Sequence, residues 1–267
     1  MIDAHLHIVD PRFPLEPNQG YVPAPFTVAD YTRRTRSLGV RGGAVVAGSF
    51  QGRDQGWLQA ALAELGPGFA GVAQLPASVP DEQVLALHRM GVRAVRFPLR
   101  RGADADPARI ERLARRVHEL AGWHAEFYLD GSSLEALAPV LRRLPRVCVD
   151  HLGMTDDGRP ELLRLVERGH KVKATGFGRV ELDVPRALRE IHAADPTALL
   201  FGTDLPSTRA RRAFRDDDVD LVAAVLGEDA AAAVLHDNAA AWYGLPRPAV
   251  LADFLELLRQ TLRNGRV

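Results

Sequence analysis

Short apolar or alternating runs rich in valine, alanine and phenylalanine recur along the chain, each followed by a stretch whose apolar residues repeat at helical spacing. The runs fall near 2–8, 41–49, 69–75, 92–98, 123–129, 146–151, 170–176 and 198–203, so the pattern predicts eight βα units. Helix start and stop signals punctuate the repeat. Thr27 precedes Val28 and Tyr31, with Gly39 closing the segment; Asp54 precedes Trp57, Leu58 and Leu62, closed by Gly66; Asp81 precedes Val84 and Leu85, closed by Gly91. Asp106-Pro107 supplies an N-cap and a first-turn proline ahead of Ile110, Leu113, Val117 and Leu120. Leu134, Leu137, Leu141 and Leu144 form a stripe ended by Pro145, and Pro185 opens a helix carrying Leu188 and Ile191.

Eight such units either close into a barrel or open into a doubly wound sheet. The nucleotide-binding form of the open sheet calls for a G-x-G-x-x-G turn after the first strand, and that turn is missing here. The expected fold is therefore α/β, a single (β/α)8 TIM barrel over residues 1–245, with 246–267 as a C-terminal helical extension. Within 248–263, Leu251, Phe254, Leu255, Leu258 and Leu262 share a stripe that predicts an amphipathic helix, packed on the barrel or on a partner subunit of a homo-oligomer. Segment 9–26 is too rich in proline for regular structure and follows the first strand directly, which makes it a loop over the barrel mouth.

Composition narrows the partners. With 34 Lys and Arg against 34 Asp and Glu, the net charge is zero, so no global field draws the protein to nucleic acid or an anionic membrane, and a small-molecule partner is favoured. The single cysteine, Cys148, sits in an apolar run and reads as a small buried hydrophobe. The start Met1-Ile2-Asp3-Ala4-His5 has neither a basic leader nor an apolar stretch, and no later segment has the length to span a bilayer, so a cytoplasmic location is expected. Arginine is abundant while Lys171 and Lys173 are the only lysines, a bias expected at exposed positions and one that makes single arginines poor clues.

Candidate chemistry lies at strand ends, where barrel enzymes place it. His5 and His7 are two apart on the first strand, so both point to one face, about 6–7 Å apart along the chain. An apolar strand ends at Asp150-His151-Leu152-Gly153, which turns His151 toward the mouth, and Leu199-Leu200-Phe201-Gly202-Thr203-Asp204 repeats the design with a carboxylate. Each has a bland alternative: a solvated loop histidine for His151, a helix cap for Asp204.

Asp3-Ala4-His5-Leu6-His7, Asp150-His151-Leu152-Gly153 and Gly202-Thr203-Asp204-Leu205-Pro206, in that order, resemble the amidohydrolase superfamily. Gly91-Val92-Arg93-Ala94-Val95-Arg96-Phe97, Trp123-His124-Ala125-Glu126-Phe127-Tyr128 and the closing 236–245 stretch are similar to its amidohydrolase-related branch, which contains pyrone-dicarboxylate lactonase and sugar lactonases. Metal-using members bind an ion through the strand-one histidines, histidines on strands five and six, and the strand-eight aspartate. Here Tyr128 stands where the strand-five histidine would be, and strand four offers no lysine to bridge a second ion, Lys171 and Lys173 lying on strand seven. The resemblance implies a hydrolase without a required cofactor. The alternative is one Zn2+ or another divalent cation held by His5, His7, His151 and Asp204, since three protein ligands and a water suffice for catalytic zinc.

Opening a lactone needs a base for water, donors for the oxyanion and an acid for the leaving oxygen. Asp204 is the expected base and acid, with His5, His7 and His151 polarising the carbonyl. Arginine forks are suited to a substrate carboxylate, and Arg96, on the face of Val92 and Ala94, and Arg179 are the best placed, with Arg100 or Arg101 following in the strand-four loop. Ser49 and Tyr128 complete the resemblance to lactonase substrate contacts. Two departures bear on the substrate: Met154 replaces an arginine common after the strand-six His-x-Gly, and Ser207-Thr208-Arg209 replaces a His and Asn pattern, leaving Arg209 as a substitute anion contact. A carboxylate-bearing lactone is thus the expected substrate class. The competing expectations are a mononuclear zinc decarboxylase or amidohydrolase, and a barrel that binds a ligand without turnover.

Overall fold

The computed structural model describes residues 1–246. All eight predicted strands form and pair in sequence order as one parallel sheet. They are β1 (Ile2–Leu6), β2 (Gly42–Val46), β3 (Phe69–Ala73), β4 (Val92–Phe97), β5 (His124–Phe127), β6 (Val147–Val149), β7 (Lys171–Ala174) and β8 (Leu199–Phe201). Helices α1 (Val28–Thr35), α2 (Gly56–Leu65), α3 (Asp81–Arg89), α4 (Pro107–Ala121), α5 (Leu134–Leu141), α6 (Arg159–Val166) and α7 (Val184–Ala194) fill the crossovers, and α8 (Asp217–Leu226), α9 (Glu228–Ala232) and α10 (Asn238–Tyr243) follow β8. The architecture is the expected TIM barrel.

Local signals explain the element ends. Thr27 and Asp30 cap α1 reciprocally, and Asp106 accepts from the amides of Ala108 and Arg109 with Pro107 in the first turn of α4. Asp54 serves α2 from one residue further out than a cap, accepting from Gly56 N, and α3 starts at Asp81 itself with Pro80 before it. The backbone continuing from β8 returns to the end of β1: Asp204 N donates to His5 O at 2.7 Å, and His7 N donates to Leu205 O at 2.8 Å. This close approach explains Gly202, where a Cβ would stand 2.5 Å from His5 N.

Barrel strands bury both faces. The outer faces pack on the helices through residues such as Leu6, Val45, Val95, Phe127, Val149, Val172 and Phe201. The inner faces contribute Ile2, Ala4, Ala44, Val46, Ala70, Val72, Ala94, Cys148 and Leu200, and Trp242 and Tyr243 of α10 join this inner cluster. Cys148 is the buried hydrophobe expected. Val92 is a correction: a pairing irregularity between Gly71 and Val72 lets Val92 join the outer layer while Ala94 and Arg96 face inward. Segment 9–26 is mostly irregular, crossed by the antiparallel bridges Val9–Phe26 and Asn18–Tyr21. The helix expected over 248–263 lies outside the described residues, and among those described no helix is long and apolar enough to cross a membrane.

The phenol of Tyr243 reaches into the barrel and donates to Glu126 Oε1 at 2.6 Å, in surroundings with no solvent exposure for the carboxylate. A hydrogen bond to a buried charge contributes about 1.5–3 kcal/mol. Tyr243→Phe is therefore expected to lower the unfolding free energy by about 2 kcal/mol in urea titration, and an unchanged midpoint would refute the anchoring role.

Candidate active site

Period-2 alternation on the inner face places a polar layer above the apolar one on most strands: Arg96 rises from β4, Glu126 and, just past the strand end, Tyr128 from β5, Asp150 from the end of β6, and Lys173 and Thr175 from β7 and its end. On β1, where Ile2 and Ala4 face inward, a pairing irregularity between Asp3 and Leu6 shifts the parity and brings His5 and His7 to the same layer. His151 and Asp204 follow the ends of β6 and β8 with φ of +52° and +57°. Left-handed backbone is uncommon for such residues and is held only where the surroundings fix it. For Asp204 those surroundings include Asp3, which accepts from Thr203 N at 2.8 Å, Thr203 Oγ1 at 2.7 Å and Tyr31 OH at 2.9 Å. Burial pushes the Asp3 carboxyl up to about 6 against these hydrogen bonds.

The four expected catalytic side chains converge. The rings of His5 and His7 lie 4.9 Å apart, and those of His5 and His151 4.8 Å. Asp204 Oδ1 stands 3.8 Å from His5 Nε2 and 3.6 Å from His7 Nε2. The two Asp204 oxygens differ in their surroundings. Oδ2 accepts from Arg179 Nε at 2.8 Å and Nη2 at 2.5 Å, whereas Oδ1, like His5 Nε2, is buried with no protein hydrogen-bond partner among the described residues. Burial alone would raise the Asp204 carboxyl, but Arg179 and His151 outweigh it and hold it well below the usual carboxylate range. Burial also lowers the histidines, His151 to about 3 and His5 well below its ordinary value, so both rings are neutral near pH 7.

The expected substrate contacts Ser49, Arg96, Arg101, Tyr128, Arg179 and Arg209 line one pocket with His7, His151 and Asp204, and its free volume is about 30 Å3. The arginines, however, are already engaged. Arg179 holds Asp204, and Arg96 gives Nε and Nη2 to Asp150 Oδ2 at 3.1 and 2.8 Å and Nη1 to Ala47 O at 2.7 Å. Arg101 donates to Tyr128 OH at 3.1 Å. Arg209 bonds the Asn18 side chain at 3.1 Å and lies 4.5 Å over the Tyr21 ring, tying loop 9–26 across the mouth.

Sequence reasoning gave no role to three groups of the site, Glu126, Asp150 and Lys173. Lys173, expected at an exposed position, is wholly buried. Its ammonium donates to Glu126 Oε2 at 2.5 Å and lies 3.2 Å from His5 Nδ1 and 3.5 Å from Asp150 Oδ1. Desolvation pulls its pKa down, but Glu126 and Asp150 outweigh that and raise it above the ordinary value. Asp150 is likewise held down to about 2, the Lys173 and Arg96 charges overcoming its burial. The sequence shows only that Lys171 and Lys173 share one face of β7, opposite Val172 and Ala174, without saying which face turns inward.

By spacing alone, His5, His7 and Asp204, or His5, Asp150 and His151, could surround a divalent ion, their ligand atoms lying within 4.8 Å of one another. His7 has the second contact such a ligand needs: its Nδ1 lies 2.8 Å from Val46 O, which makes it the protonated nitrogen and leaves a lone pair on Nε2. His5 lacks a contact of that kind, since its Nδ1 faces the Lys173 ammonium.

A family profile described as Amidohydrolase matches residues 2–245. A 2-pyrone-4,6-dicarboxylate hydrolase of Comamonas testosteroni is 28% identical, over 81% of this chain and 80% of that protein. A D-galactarolactone isomerase of Agrobacterium fabrum is also 28% identical, with the same coverage of each chain. Among solved structures, an apo protein of Agrobacterium tumefaciens superposes with a TM-score of 0.82 at 24% identity, covering 92% of this chain and 96% of that one.

A neutral buried histidine and buried carboxylates of depressed pKa act in the same direction. The unfolded chain binds protons first, so stability is present above the unfolded pKa values and is lost as pH falls. The His151 contribution declines from about pH 6.5 toward its folded value of about 3. In that window one proton gives a slope of about 1.4 kcal/mol per pH unit. His151→Asn is expected to flatten the decline of unfolding free energy between pH 6 and 4 by about that slope, whereas parallel wild-type and variant curves would contradict it.

Proposed function

The chain is an enzyme of the amidohydrolase family, and on that premise we propose that it hydrolyses a small lactone bearing a carboxylate. The curated relatives named above act on a 2-pyrone dicarboxylate and on galactarolactone, both lactones. The observation that carries the reading is the free Oδ1 of Asp204, which faces His5 and His7 while Oδ2 is anchored on Arg179.

In this scheme His7 Nε2 and Asp204 Oδ1 are two acceptors 3.6 Å apart, a seat for a water that donates a proton to each. This moves His7 from polarising the carbonyl to holding the nucleophile. Asp204 Oδ1 takes the proton as the water oxygen bonds to the lactone carbonyl carbon. His5 and His151 donate to the developing oxyanion, His151 being oriented by Thr175 Oγ1 2.7 Å from its Nδ1. Collapse of the tetrahedral intermediate breaks the bond from the carbonyl carbon to the ring oxygen, which receives the proton from Asp204, leaving a ring-opened hydroxy acid or its enol tautomer.

A free volume of about 30 Å3 suits little more than a water. A lactone therefore enters by displacing side chains, and a substrate carboxylate competes directly for Arg179. Drawing Arg179 from Asp204 also removes the strongest influence depressing that carboxyl, so binding an anion makes the base more basic. Arg101 and Arg209 stand at the same pocket for a second anionic group. The zinc-dependent alternative has the ligand spacing in its favour and differs by releasing carbon dioxide from aromatic or enamine carboxylic acids.

Assay of five- and six-membered lactones, with and without carboxylates and in both directions, tests the substrate class; carbon dioxide release without any lactone opening would overturn it. Asp204→Asn is expected to lower kcat by about 10²–10⁴-fold while the lactone still binds, as measured by steady-state kinetics and calorimetry. A kcat within a few-fold of wild type would remove Asp204 from the chemistry.

A further inference from the structure

At the floor of the pocket and beneath it, the barrel holds a buried charged layer in which Glu126, Asp150 and Asp204 oppose Lys173, Arg96 and Arg179. Lys173 lies at its centre and touches none of the pocket-lining groups except through His5. An ammonium carries three donors and no acceptor, so at 3.2 Å it can only donate to the lone pair of His5 Nδ1. A neutral imidazole whose Nδ1 accepts carries its proton on Nε2. That Nε2 points at Asp204 Oδ1, 3.8 Å away, and has no hydrogen-bond partner among the described residues. His5 is thereby an N–H donor aimed into the reaction centre.

We propose that Lys173 is a positioning residue that locks His5 in the Nε2–H form, making the strand-one pair one donor and one acceptor instead of two ligands for a divalent ion. The assignment rests on the lactonase reading only for the use made of that donor. A metal ligand needs the opposite arrangement, with a lone pair on Nε2 and Nδ1–H given to a carboxylate, carbonyl or water. Asp150 Oδ1 waits 3.5 Å from His5 Nδ1 to serve as such a partner, and it has no hydrogen-bond partner of its own among the described residues. Lys173 occupies the closer position and excludes that arrangement. Charge balance points the same way: around His5, the carboxylates of Glu126, Asp150 and Asp204 are already matched by Lys173, Arg96 and Arg179, and a divalent ion would add two uncompensated positive charges to that set. The residues present therefore do not fit a divalent ion at His5.

Two measurements, neither involving turnover, test this. Ring-nitrogen NMR of 15N-histidine-labelled wild-type protein, with the His5→Gln spectrum assigning the signal, is expected to place the His5 proton on Nε2; a proton on Nδ1 would overturn the proposal. Cobalt(II) titration followed by visible absorption is expected to show no tetrahedral site in wild type. Lys173→Met frees His5 Nδ1 to donate to Asp150, and cobalt affinity is expected to rise at least about tenfold, the scale on which second contacts tune metal binding. Tight cobalt binding by wild type, or a folded Lys173→Met protein with wild-type affinity, would also sink it. If Lys173→Met does not fold, the wild-type NMR result decides alone. Failure of every lactone assay with His5 protonated at Nε2 would reject the lactonase reading and leave this one standing.

Discussion

Charge neutrality inside a closed barrel is the constraint on which the other features of this site depend. At the site, Glu126, Asp150 and Asp204 and their partners Lys173, Arg96 and Arg179 are each at most 8% exposed, and each unpaired charge in such surroundings costs several kcal/mol. No one of them is therefore free to change alone. The pairings Arg96–Asp150, Lys173–Glu126 and Arg179–Asp204 fix where every other polar group can point. His5 lies between the last two: its Nδ1 faces Lys173 and its Nε2 faces Asp204.

The barrel supplies that layer by geometry more than by affinity. Parallel strands joined in sequence order bring residues far apart in the chain to one level, and the apolar inner residues below, with Trp242 and Tyr243 of α10, underlie the charged layer. Tyr243 also binds the layer directly through Glu126. The ends of β1 and the β8 extension are tied by two backbone hydrogen bonds, so His5, His7 and Asp204 are neighbours as a consequence of barrel closure. Asp3, one turn of the pleat before His5, secures Thr203 and so Asp204.

Much of this could be read from the sequence because both signals were local. Strand runs bounded by helix caps revealed the unit count, and histidines or a carboxylate closing an apolar run revealed the mouth residues His5, His7, His151 and Asp204. Lys173 was not legible for a physical reason. In Lys171-Val172-Lys173-Ala174 the alternation is clear, but both faces of a barrel strand are buried, so period 2 does not say which face is apolar. The usual assignment puts the charged face in water; here it points into the polar layer of the barrel. Arg96 and Arg179 were placed at the correct mouth, yet their partners Asp150 and Asp204 lie on other strands, and no one-dimensional spacing reveals an ion pair of that kind. Val92 was misplaced because a pairing irregularity shifts the inward parity of β4.

The arrangement of Arg179 links recognition to chemistry in the proposed reaction. A base whose carboxylate is bound by a guanidinium is a poor proton acceptor, and a pocket with room for little more than a water is a poor receptor. Both deficits have one remedy: a substrate carboxylate that takes the fork of Arg179 opens space and relieves Asp204 together. A neutral lactone of the same size offers nothing in exchange for the ion pair, so it must either bind beside an intact Arg179–Asp204 pair or leave both charges unpaired. Discrimination would then arise from the cost of an unpaired buried charge, a larger quantity than the contact energy of one or two methylene groups. In the proposed reaction the selectivity for anions would lie with Arg179, in the turn after β7, and Arg101 and Arg209 at the rim would set which anion is accepted.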